Sequence, residues 1–430
     1  MCFYAPGAPI FIREYGITRT LGHIVRGICV ACVIFSFPSM FSRRTNWKLS
    51  PNRYTRVLEE MRSCGASFLD LTTSNPTQCG FRYDEKAILG AFQNANSLSY
   101  EPEPKGLLAA RQEVARYYQQ DHGVTVDPEA LLLTTSTSEA YSYVFRLLCN
   151  PHDEILVPKP SYPLFEFLGD LQDVSLIPYS LEYAHGWFID FRLLVRAITP
   201  RTRAVLLVHP NNPTGSYVHS EEAQRLSDLC REHNLALIVD EVFLDYSIAN
   251  QPHRTFAANH ECLTFTLSGL SKIAALPQMK VAWISTTGPK ELARPAVDRL
   301  EVIADTYLSL NSPTQWAFAA LFEQRGSLQP QLLDRIRKNW DCLKSLAAGC
   351  SSCKSLDAEG GWYGVLRTSG EGSDEDLAID ILQKAHVLVQ PGHFYDFPSD
   401  RYLVVSLITP CEDFQKGVFR VIEFLKTRNL

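Results

Sequence analysis

The sequence has no excess of positive charge: 41 lysines and arginines stand against 47 aspartates and glutamates, a formal net charge of -6. General attraction to nucleic acid or to an anionic membrane is therefore not written into the composition, and any anion site has to be local. A cysteine framework is missing too. Twelve cysteines are scattered singly, except for Cys29-Val-Ala-Cys32 and Cys350-Ser-Ser-Cys353. Zinc would need two such pairs brought together, but one lies in an apolar stretch and neither has a histidine partner at finger spacing, so no metal is expected. Scattered thiols fit a reducing cytoplasm better than a disulfide scaffold. No internal repeat, low-complexity linker or helix-turn-helix module interrupts the chain.

A full membrane span is also lacking. Ile24 to Phe41 is apolar apart from Arg26 and follows Arg13 and Arg19, which imitates a signal peptide or a short anchor. Its uninterrupted part, Gly27 to Phe41, falls short of the roughly 20 residues a span needs and contains Pro38. Met40-Phe-Ser-Arg-Arg-Thr-Asn-Trp47 reads like the opening of a soluble domain, so residues 1–39 are expected to be a non-core extension. A membrane-bound or exported form is the minor alternative.

What is present is an ordinary apolar fraction of 46% over 430 residues, a length that suggests two domains. From Leu131 onward, buried strands alternate with helices: Leu131 to Thr135, Glu154 to Pro158, Val174 to Tyr179, Arg203 to His209, Ala236 to Val242, Leu263 to Leu267 and Lys280 to Ser285. Near-continuous Val, Ile and Leu runs separated by helices mean strands covered on both faces, hence a mostly parallel sheet of seven strands sandwiched by helices. Pro289 to Arg325 reads as helical. The last hundred residues alternate helices with strands at Trp362 to Leu366, Val387 to Gln390 and Tyr402 to Leu407. The expected division is an N-terminal segment 40–85 packing on a small α+β domain 326–430, and a large domain 86–325.

Four short stretches follow or end these strands, where parallel sheets collect ligands. Leu267-Ser-Gly-Leu-Ser271-Lys272 places a lysine on a small-residue loop, suited to a covalent amine nucleophile rather than a solvated charge. Asp240 ends the apolar strand Ala236 to Val239, where a carboxylate without a partner is costly. Thr135-Ser136-Thr137 opens a helix, and free amides beside hydroxyls bind phosphate there; an N-cap cluster is the bland alternative. Pro210-Asn-Asn212-Pro-Thr-Gly215 is a turn by composition.

In this order, with the lysine last, the stretches resemble the pyridoxal-phosphate site of the class I/II aminotransferases, the fold-type-I family, from about Trp47 to the C-terminus. The resemblance implies pyridoxal 5'-phosphate held by Lys272 as an internal aldimine, with Asp240 on the pyridine nitrogen and Asn212 on the phenolic oxygen. It implies Tyr162 stacked on the ring, and Ser136, Thr137, Ser271, Lys280, and also Thr135 and Ser268, around the phosphate. Tyr100 would reach the phosphate of a neighbouring subunit, which implies a homodimer with shared sites. The implied reaction moves an amino group between an amino acid or related amine and a 2-oxo acid. The same cofactor site also serves lyases and decarboxylases, and a non-catalytic relative is a further alternative.

Four positions depart from the family pattern. Ser136 stands where glycine is usual, Gly269 where serine is usual, and Phe243 where a tyrosine hydroxyl contacts the phenolic oxygen. Most consequentially, Val404 in Tyr402-Leu-Val-Val-Ser406 occupies the place of the arginine that grips the substrate carboxylate. Arg401 is at an odd offset, on the opposite strand face. Either Arg401, Arg82, Arg43 or Arg44 replaces that arginine, or the substrate is not a standard α-amino acid.

Overall fold

The computed structural model describes residues 40–249, 251, 253–399 and 401–428; nearly all of Ile24 to Phe41, with Cys29 and Cys32, lies outside them. Among the described residues no helix is long and apolar enough to cross a membrane, and no group of His, Cys, Asp and Glu is placed to hold a metal.

The main sheet has eight strands: Leu131–Thr134 (β1), Glu154–Lys159 (β2), Ser175–Tyr183 (β3), Trp187–Ile189 (β4), Thr202–Val208 (β5), Ala236–Asp240 (β6), Thr264–Gly269 (β7) and Ala282–Thr287 (β8). Their order is β1-β8-β7-β6-β5-β2-β3-β4. Five neighbours, β7 through β3, run parallel. Strand β8 is antiparallel to β1 and β7, and β4 is antiparallel to β3. The expected count of seven omits β4, a three-residue edge strand closed by a turn at Gly186, whose φ is 135°. Every residue of β1, β6, β7 and β8 is buried, as strands covered on both faces require.

Alternation divides their side chains between two cores. Leu132, Ile238, Phe265 and Ile284 meet Ala140 and Val144 of the helix Thr137–Leu148, and Leu300 of Lys290–Tyr307. Leu131, Leu133 and Trp283 meet Val114 and Tyr117 of Leu108–His122, and Phe318 of Ser312–Glu323. Truncating the fully buried Phe265 to alanine would cost about 3–5 kcal/mol. The helix expected over Pro289 to Arg325 is in fact two, broken where Leu308 turns to a φ of 47° and Asn311 caps the next.

After the long helix Arg325–Ala348 comes an antiparallel sheet of Cys353–Ser355 (β9), Tyr363–Thr368 (β10), Gln390–Pro391 (β11) and Tyr402–Ser406 (β12), in the order β9-β10-β12-β11. The helix Arg53–Ser63 and the strand after it dock here: Tyr54 Oη donates to the Val389 carbonyl at 2.6 Å, and the Ser406 N–H donates to the Leu71 carbonyl at 2.7 Å. Residues just before them go elsewhere. Trp47 Nε1 donates to Asp170 at 2.9 Å beside the main sheet, and Arg44 pairs with Asp173. The segment 40–85 is thus divided between the two regions.

Candidate active site

Register brings the sequence motifs to one edge. Val208, Asp240 and Leu267 are successive partners across β5, β6 and β7. The segments leaving those strands, Asn211-Asn212, Glu241 to Phe243 and Ser268 to Lys272, therefore emerge side by side. The end of β2 joins them, because Asn211 Nδ2 donates to the Pro160 carbonyl at 3.1 Å. Thr134 of β1 pairs with Ala282 of β8, and extending that register sets Ser136 across from Lys280.

Asp240 is buried, and burial pushes its carboxyl above the ordinary value. Opposing that are the Val242 N–H at 3.0 Å, the Tyr141 hydroxyl at 2.9 Å and the charge of Lys272. The neighbouring Glu241 takes a hydroxyl from Thr255 and an N–H from Phe256, both at 2.6 Å, and burial pushes it up to about 7. Behind both, burial lowers the imidazole of His209 to about 3. Its Nδ1 accepts from the Val218 N–H at 3.0 Å, which leaves the proton on Nε2, 3.2 Å from the Arg254 carbonyl.

Lys272 is buried in the short turn Leu270–Ile273. Its Nζ lies 4.9 Å from the ring centre of Trp362 and 5.4 Å from that of Phe243. Tyr246 Oη donates to the Lys272 carbonyl at 2.5 Å and fixes the turn. Gly269 has a steric reason: a Cβ there would sit 2.8 Å from the Val281 carbonyl oxygen. Ser271 is buried beside the lysine, whereas Ser268 Oγ lies 3.4 Å from the Glu241 carbonyl.

At the other end, Ser136 is extended, with φ -166°, a conformation any residue adopts, so glycine is not required. Its Oγ caps the helix by accepting from the Glu139 N–H at 3.1 Å. Glu139 reaches back to the Thr135 N–H at 2.7 Å and its hydroxyl at 3.0 Å. Thr135 is thus engaged by an acid, and an anion arriving here must displace that carboxylate or lie beside it. Among the described residues nothing takes up the amides of Thr137 and Ser138, the donors a helix start leaves over. Lys280 is exposed, in the left-handed region at φ 54°.

Asn212 is buried, with no partner for its Oδ1. Tyr162 is half-buried, its ring edge-on to Phe165 at 5.7 Å. Tyr100 is 75% exposed and lines a cleft with Glu101, Tyr143 and Leu308, away from the lysine of its own chain. A buried amine, a buried acid, an unpartnered amide oxygen and free amides at a helix start suit a planar ligand with an anionic tail.

None of the four arginines considered for the substrate carboxylate makes a side-chain hydrogen bond or ion pair with a described residue of this edge. Arg43 and Arg44 line a cleft with His152 and Asp173, at the amino ends of β2 and β3. Arg401 is exposed ahead of β12, and Arg82 is exposed with its backbone bonded to Gln331. Sequence reasoning missed Tyr141, Tyr246 and Trp362. Only Trp362 carries a signal: it follows Gly360-Gly361, and a Cβ at Gly360 would sit 2.7 Å from Tyr217.

A family model described as aminotransferase class I and II matches residues 70–407. The chain is 25% identical over 372 residues to the glutamate-pyruvate aminotransferase AlaA of Escherichia coli K12, covering 84% of this chain and 91% of that protein. It is 27% identical over 375 residues to an alanine aminotransferase of Mycobacterium tuberculosis, covering 84% and 86%. Among solved structures, alanine aminotransferase from Pyrococcus furiosus superposes with a TM-score of 0.80 over 87% of this chain and 96% of its own, at 21% identity, a likeness of fold.

Proposed function

From the premise that the chain belongs to the class I and II aminotransferase family and is an aminotransferase, we propose that Lys272 is its covalent anchor for pyridoxal 5'-phosphate and its catalytic base. Asp240 holds the far side of the same ring. The observation that carries this reading is that Asp240 pairs with Leu267 across neighbouring strands, so the turn bearing the buried Lys272 leaves its strand beside the buried carboxyl of Asp240. When bound, pyridoxal phosphate supplies an electron-poor ring that stabilises charge left on the substrate carbon.

The chain's own residues do the rest. Asp240, whose carboxyl accepts from the Tyr141 hydroxyl and the Val242 N–H, would face the ring nitrogen and favour its protonated form. Asn212 bonds the phenolic oxygen and Tyr162 stacks on the ring. Ser136, Thr137, Ser268, Ser271 and Lys280 hold the phosphate, with Lys280 as a point charge; Thr135 joins them only by releasing Glu139. Lys272 carries the proton between the donor carbon and C4′. Phe243 and Trp362 flank its amine and exclude water.

The exposed Tyr100 completes the site of a second copy, giving a homodimer. Free cysteines among the described residues support a reducing, cytoplasmic setting. Residues 86–325 form the cofactor domain, and 326–430 with much of 40–85 form the smaller one. The substrates are a small amino donor and an oxo acceptor. Lys272→Ala should abolish both turnover and the visible absorbance of covalently held cofactor. Retained turnover contradicts the assignment.

A further inference from the structure

We propose that Asp245 is a positioning residue for Lys272: a carboxylate clamped between two helices that sets the segment from which Tyr246 holds the backbone of the lysine. This goes beyond the aminotransferase reading and rests on it for the role of Lys272.

The segment Asp240 to Tyr246 meets the lysine at more than one point. Besides Asp240 itself, Phe243 has its ring centre 5.4 Å from Lys272 Nζ, and Tyr246 Oη donates to the Lys272 carbonyl at 2.5 Å. That carbonyl also accepts from the Ala275 N–H at 3.1 Å, and Tyr83 Oη donates to the Ala275 carbonyl at 2.9 Å. The lysine turn is therefore held from outside by two phenols. Inside the segment, the Leu244 N–H donates to the Glu241 carbonyl and the Tyr246 N–H to the Phe243 carbonyl, both at 3.0 Å. Two overlapping turns make it stiff, so whatever fixes Asp245 bears on the next residue, Tyr246.

Three donors fix Asp245. Its Oδ1 accepts from Tyr117 Oη at 3.1 Å and lies 3.2 Å from His122 Nε2, both on the helix Leu108–His122. Its Oδ2 accepts from Gln329 Nε2 at 2.8 Å, on the helix Arg325–Ala348. His122 Nε2 is also 2.9 Å from Tyr117 Oη, which closes a triangle of polar atoms. The Tyr117 ring packs edge-on against Trp283 and Phe322, so its hydroxyl is a fixed donor. Burial opposes a charge on the His122 imidazole, but the hydrogen bond and charge of Asp245, then the charges of Glu241 and Asp121, raise it above its ordinary value. The clamp is thus charge-assisted, the stronger kind of hydrogen bonding. Such a clamp matters because the Lys272 amine has to serve the donor carbon and C4′ in turn, and reach of this kind is lost when the backbone beneath it shifts.

The test follows capture of saturating pyridoxal phosphate by the cofactor-free full chain, read as the visible absorbance of the covalently held form, with urea unfolding alongside. Tyr246→Phe keeps the packing and removes one hydroxyl; it should reach the parental amount at least about tenfold more slowly. Asp245→Ala should behave likewise. Asp245→Asn still offers an oxygen at Oδ1, and its amide meets Gln329 once that side chain turns over, so capture should recover to within about threefold of the parent. The double variant of Asp245→Ala and Tyr246→Phe should match the slower single variant within about twofold, since both changes act on one path. Should Asp245→Ala not fold, Gln329→Ala removes one donor of the clamp and should slow capture about threefold. Parental capture rates in Tyr246→Phe, a lowered urea midpoint with parental capture in Asp245→Ala or Gln329→Ala, or losses that multiply in the double variant overturn the inference and leave the aminotransferase reading intact. Capture by Lys272→Ala equal to that of the parent overturns the role of Lys272, and this inference with it.

Discussion

The two walls that meet at Lys272 are built on opposite terms. The wall at the carboxyl ends of β5, β6 and β7 concentrates buried ionisable groups, Asp240, Glu241 and His209, each fitted with specific donors or acceptors. The wall from β10, β11 and β12 is neutral along Tyr363, Val365, Gln390, Val404 and Ser406 and carries its charge, Arg367, at the exposed far end. Burying a charge demands partners from several chain segments at once, so the first wall tolerates little substitution. A neutral wall can change one side chain without stranding another. A fold can therefore keep its cofactor chemistry while its substrate end drifts.

Breaking the charged wall should show the largest effect. Asp240→Asn should lower kcat about a hundred- to a thousandfold, roughly 2.7–4 kcal/mol, because a neutral amide no longer holds the opposing proton. Steady-state kinetics check this, and a loss of less than about fivefold would place the ring nitrogen elsewhere.

Glu241 sharpens the contrast through pH. Folding raises its carboxyl from 4.5 to about 7 by burial, a difference worth about 3 kcal/mol. The folded protein holds this proton more tightly than the unfolded chain does. Its stabilising effect is thus complete below 4.5 and is lost as pH rises to about 7. Glu241→Gln, which never ionises, should flatten that part of the profile. Urea unfolding at about pH 5 and pH 8 reads the difference, and an unchanged slope would assign the pH dependence to other groups.

Smaller changes probe the supports. Tyr141→Phe removes one donor from a buried carboxylate and should weaken cofactor retention by about 1.5 kcal/mol, roughly tenfold, measured by dialysis of the loaded protein. Unchanged retention would mean that the Val242 amide alone suffices. Phe243→Tyr adds a hydroxyl between the charged and neutral walls. It should move the pH midpoint of the bound cofactor's absorbance downward by up to about one unit, and an upward move would contradict the placement of that ring.

The charged wall was legible in the sequence and the neutral wall was not, for reasons visible in particular residues. Asp240 and Asn212 each follow a run of Val, Ile or Leu long enough to mark a buried strand, and Lys272 follows Leu263-Thr-Phe-Thr-Leu267, so their convergence followed from parallel order. Tyr141 lies on a helix 99 residues from Asp240, and no local spacing shows which acid it meets. Glu139, three residues after the Ser136 cap, carries a recognisable capping spacing, and it competes with phosphate for Thr135. On the neutral wall Val404 could be recognised as a departure. What surrounds it depends on β12 pairing with both β10 and β11, and although strands are expected near all three places, no local spacing shows their register.

The central claim is that one pyridine ring spans the gap from the amine of residue 272 to the acid of residue 240. Borohydride reduction of the cofactor-loaded protein, followed by peptide mapping, tests it most directly. The predicted result is a single pyridoxyl mass addition on the peptide containing Lys272, lost in Lys272→Ala. An addition on Lys280 or any other lysine, or none at all, would contradict it.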